Sequence, residues 1–162
     1  MIKAYFASPL FNDMELMYNE KLAQSIREAN PQLVMYVPQE NMAINDKSLY
    51  ADSQMIAQGD NDRLLESELL IAVLDGVSID VGVATEIGVA YAKGMKILGL
   101  YTDTRQGHTA TDEKISALRE EVAENQFHYV NLFTVGCIKA NGKICTSVEQ
   151  LNDEITNYIN NK

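Results

Sequence analysis

Acidic residues on or beside apolar helix faces are the first feature of this sequence with chemical content. In Asp80-Val-Gly-Val-Ala-Thr-Glu86-Ile-Gly-Val-Ala-Tyr91-Ala-Lys-Gly94, the residues Val83, Ile87, Ala90, Tyr91 and Gly94 recur at helical spacing. Asp80 stands where a helix cap belongs. Glu86 lies three residues after Val83 and four before Ala90, so it borders the apolar stripe. It is also near the helix start, where backbone N–H groups favour a negative charge. Two readings follow: a boundary carboxylate in a salt bridge, or an ionised group kept partly dry for a reaction. A second acid stands in Ile56-Ala-Gln-Gly-Asp60-Asn-Asp62-Arg-Leu64-Leu-Glu66. Asp60 has Ile56 and Leu64 at i−4 and i+4 and therefore points inward, unless it is simply a helix-start carboxylate satisfied by backbone. Asp62 falls on the side of Arg63 and Glu66 and reads as a solvated surface charge. Two such carboxylates suit glycosyl chemistry. One attacks or stabilises an oxocarbenium-like carbon, while another group handles the leaving-group proton.

Other chemistries lack their residues. No Gly-rich phosphate loop ends in Lys-Ser/Thr, and no Gly-x-Gly-x-x-Gly follows the first strand. His108 and His128 are isolated, which supports neither a His-based zinc site nor a Ser-His-Asp triad. Cys137 and Cys145 flank Asn141-Gly142 without a nearby His or further Cys, so no metal site is expected and the thiols are expected to be reduced. The formal net charge of −10 is spread along the chain, which argues against nucleic acid or an anionic membrane as partner. No apolar run is long enough to span a bilayer, and Met1-Ile-Lys enters a strand directly rather than a signal peptide. A cytoplasmic protein is expected.

The elements that must position these acids read as follows. At 162 residues and 46% hydrophobic composition, the chain suits one domain, spanning residues 1–162. Ile2 to Ala7 is a buried strand broken by Ser8-Pro9. Asn12 or Asp13 caps a helix from about Met14 to Ala29, with Leu16, Leu22 and Ile26 among its apolar positions. Leu33 to Val37 is the second strand. The polar stretch Gln39 to Gln54 is a lid or an active-site loop. A helix over about Ser53–Ser67 precedes strand three, Leu69–Leu74; the Glu86 helix leads to strand four, Lys96–Tyr101. A helix over about Asp112–Glu124 and a fifth strand at Tyr129–Phe133 come next. A small hairpin over Ile138–Cys145 around Asn141-Gly142 and a final helix capped by Ser147 complete the chain. This alternation implies a five-stranded, mostly parallel sheet covered on both faces. Ligands then bind beyond the C-terminal strand ends, where Tyr5–Phe11, Asp75–Glu86 and Thr102–Arg105 gather. Tyr5 could donate its hydroxyl to orient Glu86. Phe6 and Phe11 could wall a base or simply fill the core.

These residues resemble the nucleoside 2-deoxyribosyltransferases over residues 2–133. The similarity rests on Tyr5-Phe-Ala-Ser8-Pro-Leu-Phe11, Tyr36-Val-Pro38, Asp60 with Glu68 eight residues on, Asp80-x-Gly82-x-x-x-Glu86-x-Gly-x-Ala, and Leu100-Tyr-Thr-Asp-Thr-Arg105. The resemblance implies a single-domain, flavodoxin-like three-layer α/β fold, assembled as a homodimer or hexamer, without metal or cofactor. It implies Glu86 as nucleophile, Asp60 as the residue managing the departing base's proton, and Tyr5 as the hydrogen-bond donor to the nucleophile. It further implies Asp80 at the 5′-hydroxyl, Ser8, Phe11 and Gly82 at the substrate, and Asn125 contributed to a neighbouring subunit's site. The expected substrates are small: deoxynucleosides and free nucleobases. Glu68 stands where many relatives carry Asp, the stretch after Pro38 matches poorly, and the chain ends Asn160-Asn161-Lys162 instead of in a closing aromatic residue.

Two other readings use the same residues. One is an N-glycosidase of deoxynucleoside 5′-monophosphates, whose relatives resemble this chain with Ser at position 80. The Asp found here would repel a phosphate dianion. The other is a non-catalytic nucleoside or nucleotide sensor. A phosphorylation receiver is disfavoured because strand one ends in Ala7-Ser8-Pro9, not in acidic residues.

Overall fold

A computed structural model describes residues 1–41, 52–104 and 130–162, with Thr111, Glu113, Ser116, Glu120 and Val122 between. Five parallel strands, β1 (Ile2–Ala7), β2 (Leu33–Tyr36), β3 (Leu69–Val73), β4 (Lys96–Leu100) and β5 (Gly142–Cys145), form one sheet in the order β2-β1-β3-β4-β5. Helices α1 (Asp13–Ala29) and α5 (Val148–Asn160) cover one face. Helices α2 (Ser53–Glu66), α3 (Val81–Lys93) and α4 (Leu132–Asn141) cover the other. This is the three-layer, flavodoxin-like α/β fold expected, with every strand pair parallel. Strand β3 is buried at all five positions, as a central strand covered on both faces must be.

Alternation along β1 decides which side chains can reach which layer. Ala4 and Phe6 face the core under α1 and α5, whereas Tyr5 and Ala7 face α2 and α3. Phe6 therefore cannot wall a site containing Glu86; it is fully buried on the opposite face. In α1, Asn12 accepts a hydrogen bond from the Glu15 amide, and the Glu15 carboxylate accepts one from the Phe11 amide. Leu16, expected inside, lies at the surface. Asn19 takes an inward place and donates to the Pro9 carbonyl, which fixes the turn leaving β1.

The C-terminal quarter departs from the sequence expectation. Asn131 caps α4, which begins at Leu132, so residues 130–133 of the expected Tyr129–Phe133 strand do not form one; Tyr129 lies outside the described residues. Nor does Asn141-Gly142 turn a hairpin: it joins α4 directly to β5, which pairs parallel to β4. The physical reason is close backbone approach. A Cβ on Gly142 would stand 1.7 Å from the Ile97 carbonyl oxygen, so only glycine lets the chain enter the sheet there. Cys137 and Cys145 are both free and buried, on opposite faces of the sheet. The helix expected at 112–124 falls mainly outside the described residues.

Gly142→Ala is expected to lower unfolding stability by about 3 kcal/mol or more, the upper part of the range for overpacking a rigid site. Chemical denaturation measures this; a loss below about 1 kcal/mol would mean that β4 and β5 part easily.

Candidate active site

The strand order reverses direction between β1 and β3, and at that switch the loops diverge to leave a crevice. Across it lie α2 and α3, which run side by side in the same direction. The α3 residue Lys93 donates to the carbonyls of Leu65 and Ser67 at the end of α2, which aligns the two helix ends. At the other end, Asp80 caps α3: its Oδ1 accepts from the amides of Gly82 at 2.8 Å and Val83 at 3.1 Å. Gly94, at φ 73°, closes the helix as a left-handed cap.

Between the helices is a cavity of about 210 Å³ lined by Ala57, Asp60, Asn61 and Leu64 from α2 and by Gly82, Thr85, Glu86 and Val89 from α3. Asp60 and Glu86 therefore face one space. Asp62 is exposed and accepts instead from Gln58 of its own helix, which separates the two aspartates as their spacing indicates. Asp80 caps the helix that carries Gly82 and Glu86 without itself lining the cavity. Ser8 is buried at the end of β1, and Phe11 is 77% exposed; neither belongs to the cavity lining. Asn125 and Arg105 fall outside the described residues, as do positions 42–51 of the Gln39–Gln54 stretch. Lys162 pairs with Glu68, which precedes β3, so this end of the chain sits at the sheet edge opposite the α3 cap.

Tyr5 is fully buried in mid-β1 and donates its hydroxyl to Glu86 Oε1 at 2.6 Å. This short bond to an anion restrains one carboxylate oxygen and leaves Oε2 as the other face of the group. Burial, with Glu86 beside it, raises the Tyr5 pKa far above the ordinary phenol range, so it remains a donor at any working pH. Glu86 is pushed up to about 7, chiefly by desolvation, with Asp60 and Asp80 adding repulsion and the Tyr5 bond acting the other way. Asp60 is also raised, by desolvation. A nearly neutral-titrating carboxylate facing a second, partly desolvated one can divide the work of nucleophile and proton carrier. Among the described residues no group of three His, Cys, Asp or Glu side chains could hold a metal ion, and no helix is long and apolar enough to cross a membrane.

Some of the surroundings went unread in the sequence. The Tyr36 ring packs on Tyr5 at 5.4 Å between centroids, and the Arg63 guanidinium lies 5.7 Å from the Tyr36 ring centre. Asn61, Thr85 and Val89 complete the cavity. Their signal was present in the spacing: 57, 60, 61, 64 and 82, 85, 86, 89 each follow one helical face.

The Glu86 environment sets a titration that can be measured. The unfolded chain gives up this proton near the ordinary 4.5 and the folded chain only near 7. The folded state thus binds more protons in that window, and stability falls as pH rises from about 4.5 to about 7, then levels. The contribution is on the order of 3 kcal/mol. Glu86→Gln should flatten the profile, and Tyr5→Phe, by removing the stabilising donor, should move the Glu86 titration upward in carboxylate NMR. A Glu86 titrating near 4.5 would contradict the desolvation described.

No curated protein matches the chain. It is similar to a solved structure, a conserved protein from Enterococcus faecalis V583, at 54% identity over 98% of this chain and 99% of that one, with a TM-score of 0.91. It shares its fold with the 2-desoxiribosyltransferase from Leishmania mexicana, at 19% identity over 99% and 98% of the two chains and a TM-score of 0.64. It also shares it with the CMP N-glycosidase BcmB from Clostridium botulinum, at 18% identity over 96% and 98% and a TM-score of 0.50. The family profile described as Nucleoside 2-deoxyribosyltransferase matches residues 4–128, a span that holds Tyr5, Asp60, Asp80 and Glu86. The chain belongs to the nucleoside 2-deoxyribosyltransferase family.

Proposed function

We propose that the protein transfers a 2-deoxyribosyl group from one nucleobase to another through a covalent Glu86–sugar ester. The observation that carries this reading is a carboxylate held by the Tyr5 hydroxyl at 2.6 Å, facing Asp60 across a cavity of about 210 Å³. That volume lies below the roughly 300–1,000 Å³ of drug-sized sites, so it suits the sugar, with the base outside it.

In the first half-reaction, Glu86 Oε2 attacks C1′ from the α face as the C1′–N bond breaks. The departing base takes its proton from Asp60, whose raised pKa suits it as an acid. In the second half, Asp60 takes the proton of the incoming base, whose nitrogen attacks C1′ and releases Glu86. Two inversions give retention. Tyr5 holds Oε1 throughout, so Oε2 is presented in one orientation. Asp80 takes the 5′-hydroxyl through the oxygen not engaged in capping α3. Asn125 from a neighbouring subunit, with Ser8, Phe11 and Gly82, completes the substrate contacts in this reading. Water in place of the second base would give hydrolysis.

The test is direct. Incubation with deoxyinosine and adenine should yield deoxyadenosine, and a 2-fluoro-deoxyribosyl donor should leave a sugar adduct visible by intact mass. Glu86→Ala should remove the adduct and lower turnover by several powers of ten. Turnover above about a hundredth of wild type in that variant would exclude Glu86 as nucleophile.

Asp80 distinguishes transfer from hydrolysis of deoxynucleoside 5′-monophosphates. A like-charge contact at about 4 Å disfavours phosphate by roughly 4 kcal/mol at an effective dielectric of about 20, before screening. Ser is also a good helix cap, so Asp80→Ser removes the charge while keeping the cap. The kcat/KM ratio of deoxyadenosine 5′-monophosphate to deoxyadenosine should rise in this variant. A wild type that already prefers the monophosphate would favour the nucleotide hydrolase, and an unchanged ratio would leave Asp80 as a cap only.

A further inference from the structure

Tyr36 ends β2, and β2 is an edge strand. Helix cover thins there: Val34, on the same face of the strand, is 49% exposed. Tyr36 is nevertheless held by directed contacts. Its hydroxyl accepts from the Asn41 side-chain amide at 2.9 Å, and the Arg63 guanidinium lies 5.7 Å from its ring centre. Asn41 is anchored in turn. It closes the short turn Pro38–Glu40, whose Glu40 carboxylate accepts two hydrogen bonds at 2.7 Å from Arg27 of α1. Arg27 also donates to the carbonyl of Met35, next to Tyr36.

Filling the rim of a sheet requires none of these contacts. Their use lies inward. In the strand register Tyr5 stands directly between Tyr36 on β2 and Leu70 on β3, and all three side chains lie on the α2 and α3 face. Strand pairing fixes the Tyr5 backbone, but its hydroxyl lies at the far end of a long, rigid side chain. A small swing at Cβ becomes a large one at the oxygen, and the 2.6 Å bond to Glu86 tolerates little of it. Leu70 fills space on one side of the ring. On the other, the Tyr36 ring packs at 5.4 Å with a tilt of 40°, a contact that sets an angle as well as a distance.

We propose that Tyr36 is a positioning residue: anchored through Asn41 and flanked by Arg63, its ring holds Tyr5 so that the Tyr5 hydroxyl meets Glu86 Oε1. Tyr36 does not line the cavity and acts only through Tyr5. The kinetic consequence rests on the transferase reading above; the effect on Glu86 itself does not. Without the ring, Tyr5 gains freedom, its bond to Glu86 weakens, and Oε2 loses its fixed direction of attack. A misplacement of about 1 Å can cost about 100-fold in rate, which bounds the effect. Substrate contacts are untouched, so the loss falls on kcat and not on KM. The same bond opposes the upward push of desolvation, Asp60 and Asp80 on Glu86, so weakening it lets Glu86 titrate higher.

The experiment is a double-mutant cycle, with Tyr36→Phe, Tyr36→Leu and Tyr36→Met each made in wild type and in Tyr5→Phe. Tyr36→Met keeps much of the side-chain volume at a half-buried edge, so at least one variant without the ring retains the fold. In the wild-type background, Tyr36→Leu or Tyr36→Met should lower kcat about tenfold with KM within about threefold. Glu86 should titrate higher in the same variant by carboxylate NMR. Tyr36→Phe keeps the ring and should hold kcat within about threefold of wild type. In the Tyr5→Phe background the same changes should alter kcat by less than about twofold and leave Glu86 where Tyr5→Phe puts it. Equal losses in both backgrounds would show that Tyr36 serves the fold and not Tyr5. An unchanged kcat and Glu86 titration in the variants without the ring would show that Tyr5 needs no support. Either result overturns the inference and leaves the transferase reading standing. A wild type inactive on every deoxynucleoside overturns the transferase reading alone, and the Glu86 titrations then decide the inference.

Discussion

One hydrogen bond, from the Tyr5 hydroxyl to Glu86, is the constraint on which the site depends. It joins residues 81 positions apart in sequence, one in the middle of a strand and one on the helix that directly follows the neighbouring strand β3. The parallel pairing of β1 with β3 brings them into reach, and the alternation of β1 aims the ring at the correct layer. Removing a carboxylate from water costs more than a single neutral donor returns, which is why Glu86 remains well above its ordinary pKa despite this bond. The arrangement favours a group that changes charge easily near neutral pH. Stability alone would favour an apolar residue there.

A rigid frame has to hold that group. Lys93 at one end and the Asp80 cap at the other fix α3 at both termini, and Asp75 ties the ends of β3 and β4 by accepting from the amide and hydroxyl of Thr102. The Tyr36 ring supports Tyr5 from the side away from Glu86's helix, and Arg63 covers Tyr36 in turn. These contacts come from both helices and four strands, so the position of Glu86 is set by the sheet and not by its own helix alone.

Most of this frame was legible in the sequence because its signals are local. Helix periodicity placed Glu86 beside an apolar stripe and separated Asp60 from Asp62, and the caps Asn12, Asp80 and Ser147 are all where their residue types indicated. The expected gathering of strand ends and the resemblance to a known family together supplied the partnership of Tyr5 and Glu86, which no local pattern contains. The misreadings have different causes. Tyr129–Phe133 has strand-like composition, yet Asn131 caps a helix there, a local bond to the Thr134 amide that composition does not show. Asn141-Gly142 has hairpin composition, yet the glycine serves a close approach to Ile97, where tertiary contact outweighed propensity. Phe6 was ambiguous for a simpler reason, since an apolar run buried on both sides carries no sign of which face looks toward the site.

The placement of Met1 and Lys162 on one edge of the sheet has a practical side. Met1 leads into the N-terminal edge of β1, and Lys162 is pinned to Glu68 at the same edge of the sheet. The groove between α2 and α3 is shallow at Ala57 and Gly82, both exposed, and opens there toward the opposite edge. A protein tethered to a solid support through the Met1 or Lys162 side of the sheet would thus present its groove outward, away from the attachment. Orientation on a surface, commonly a matter of chance for an immobilised catalyst, is here decided by the direction in which five parallel strands run.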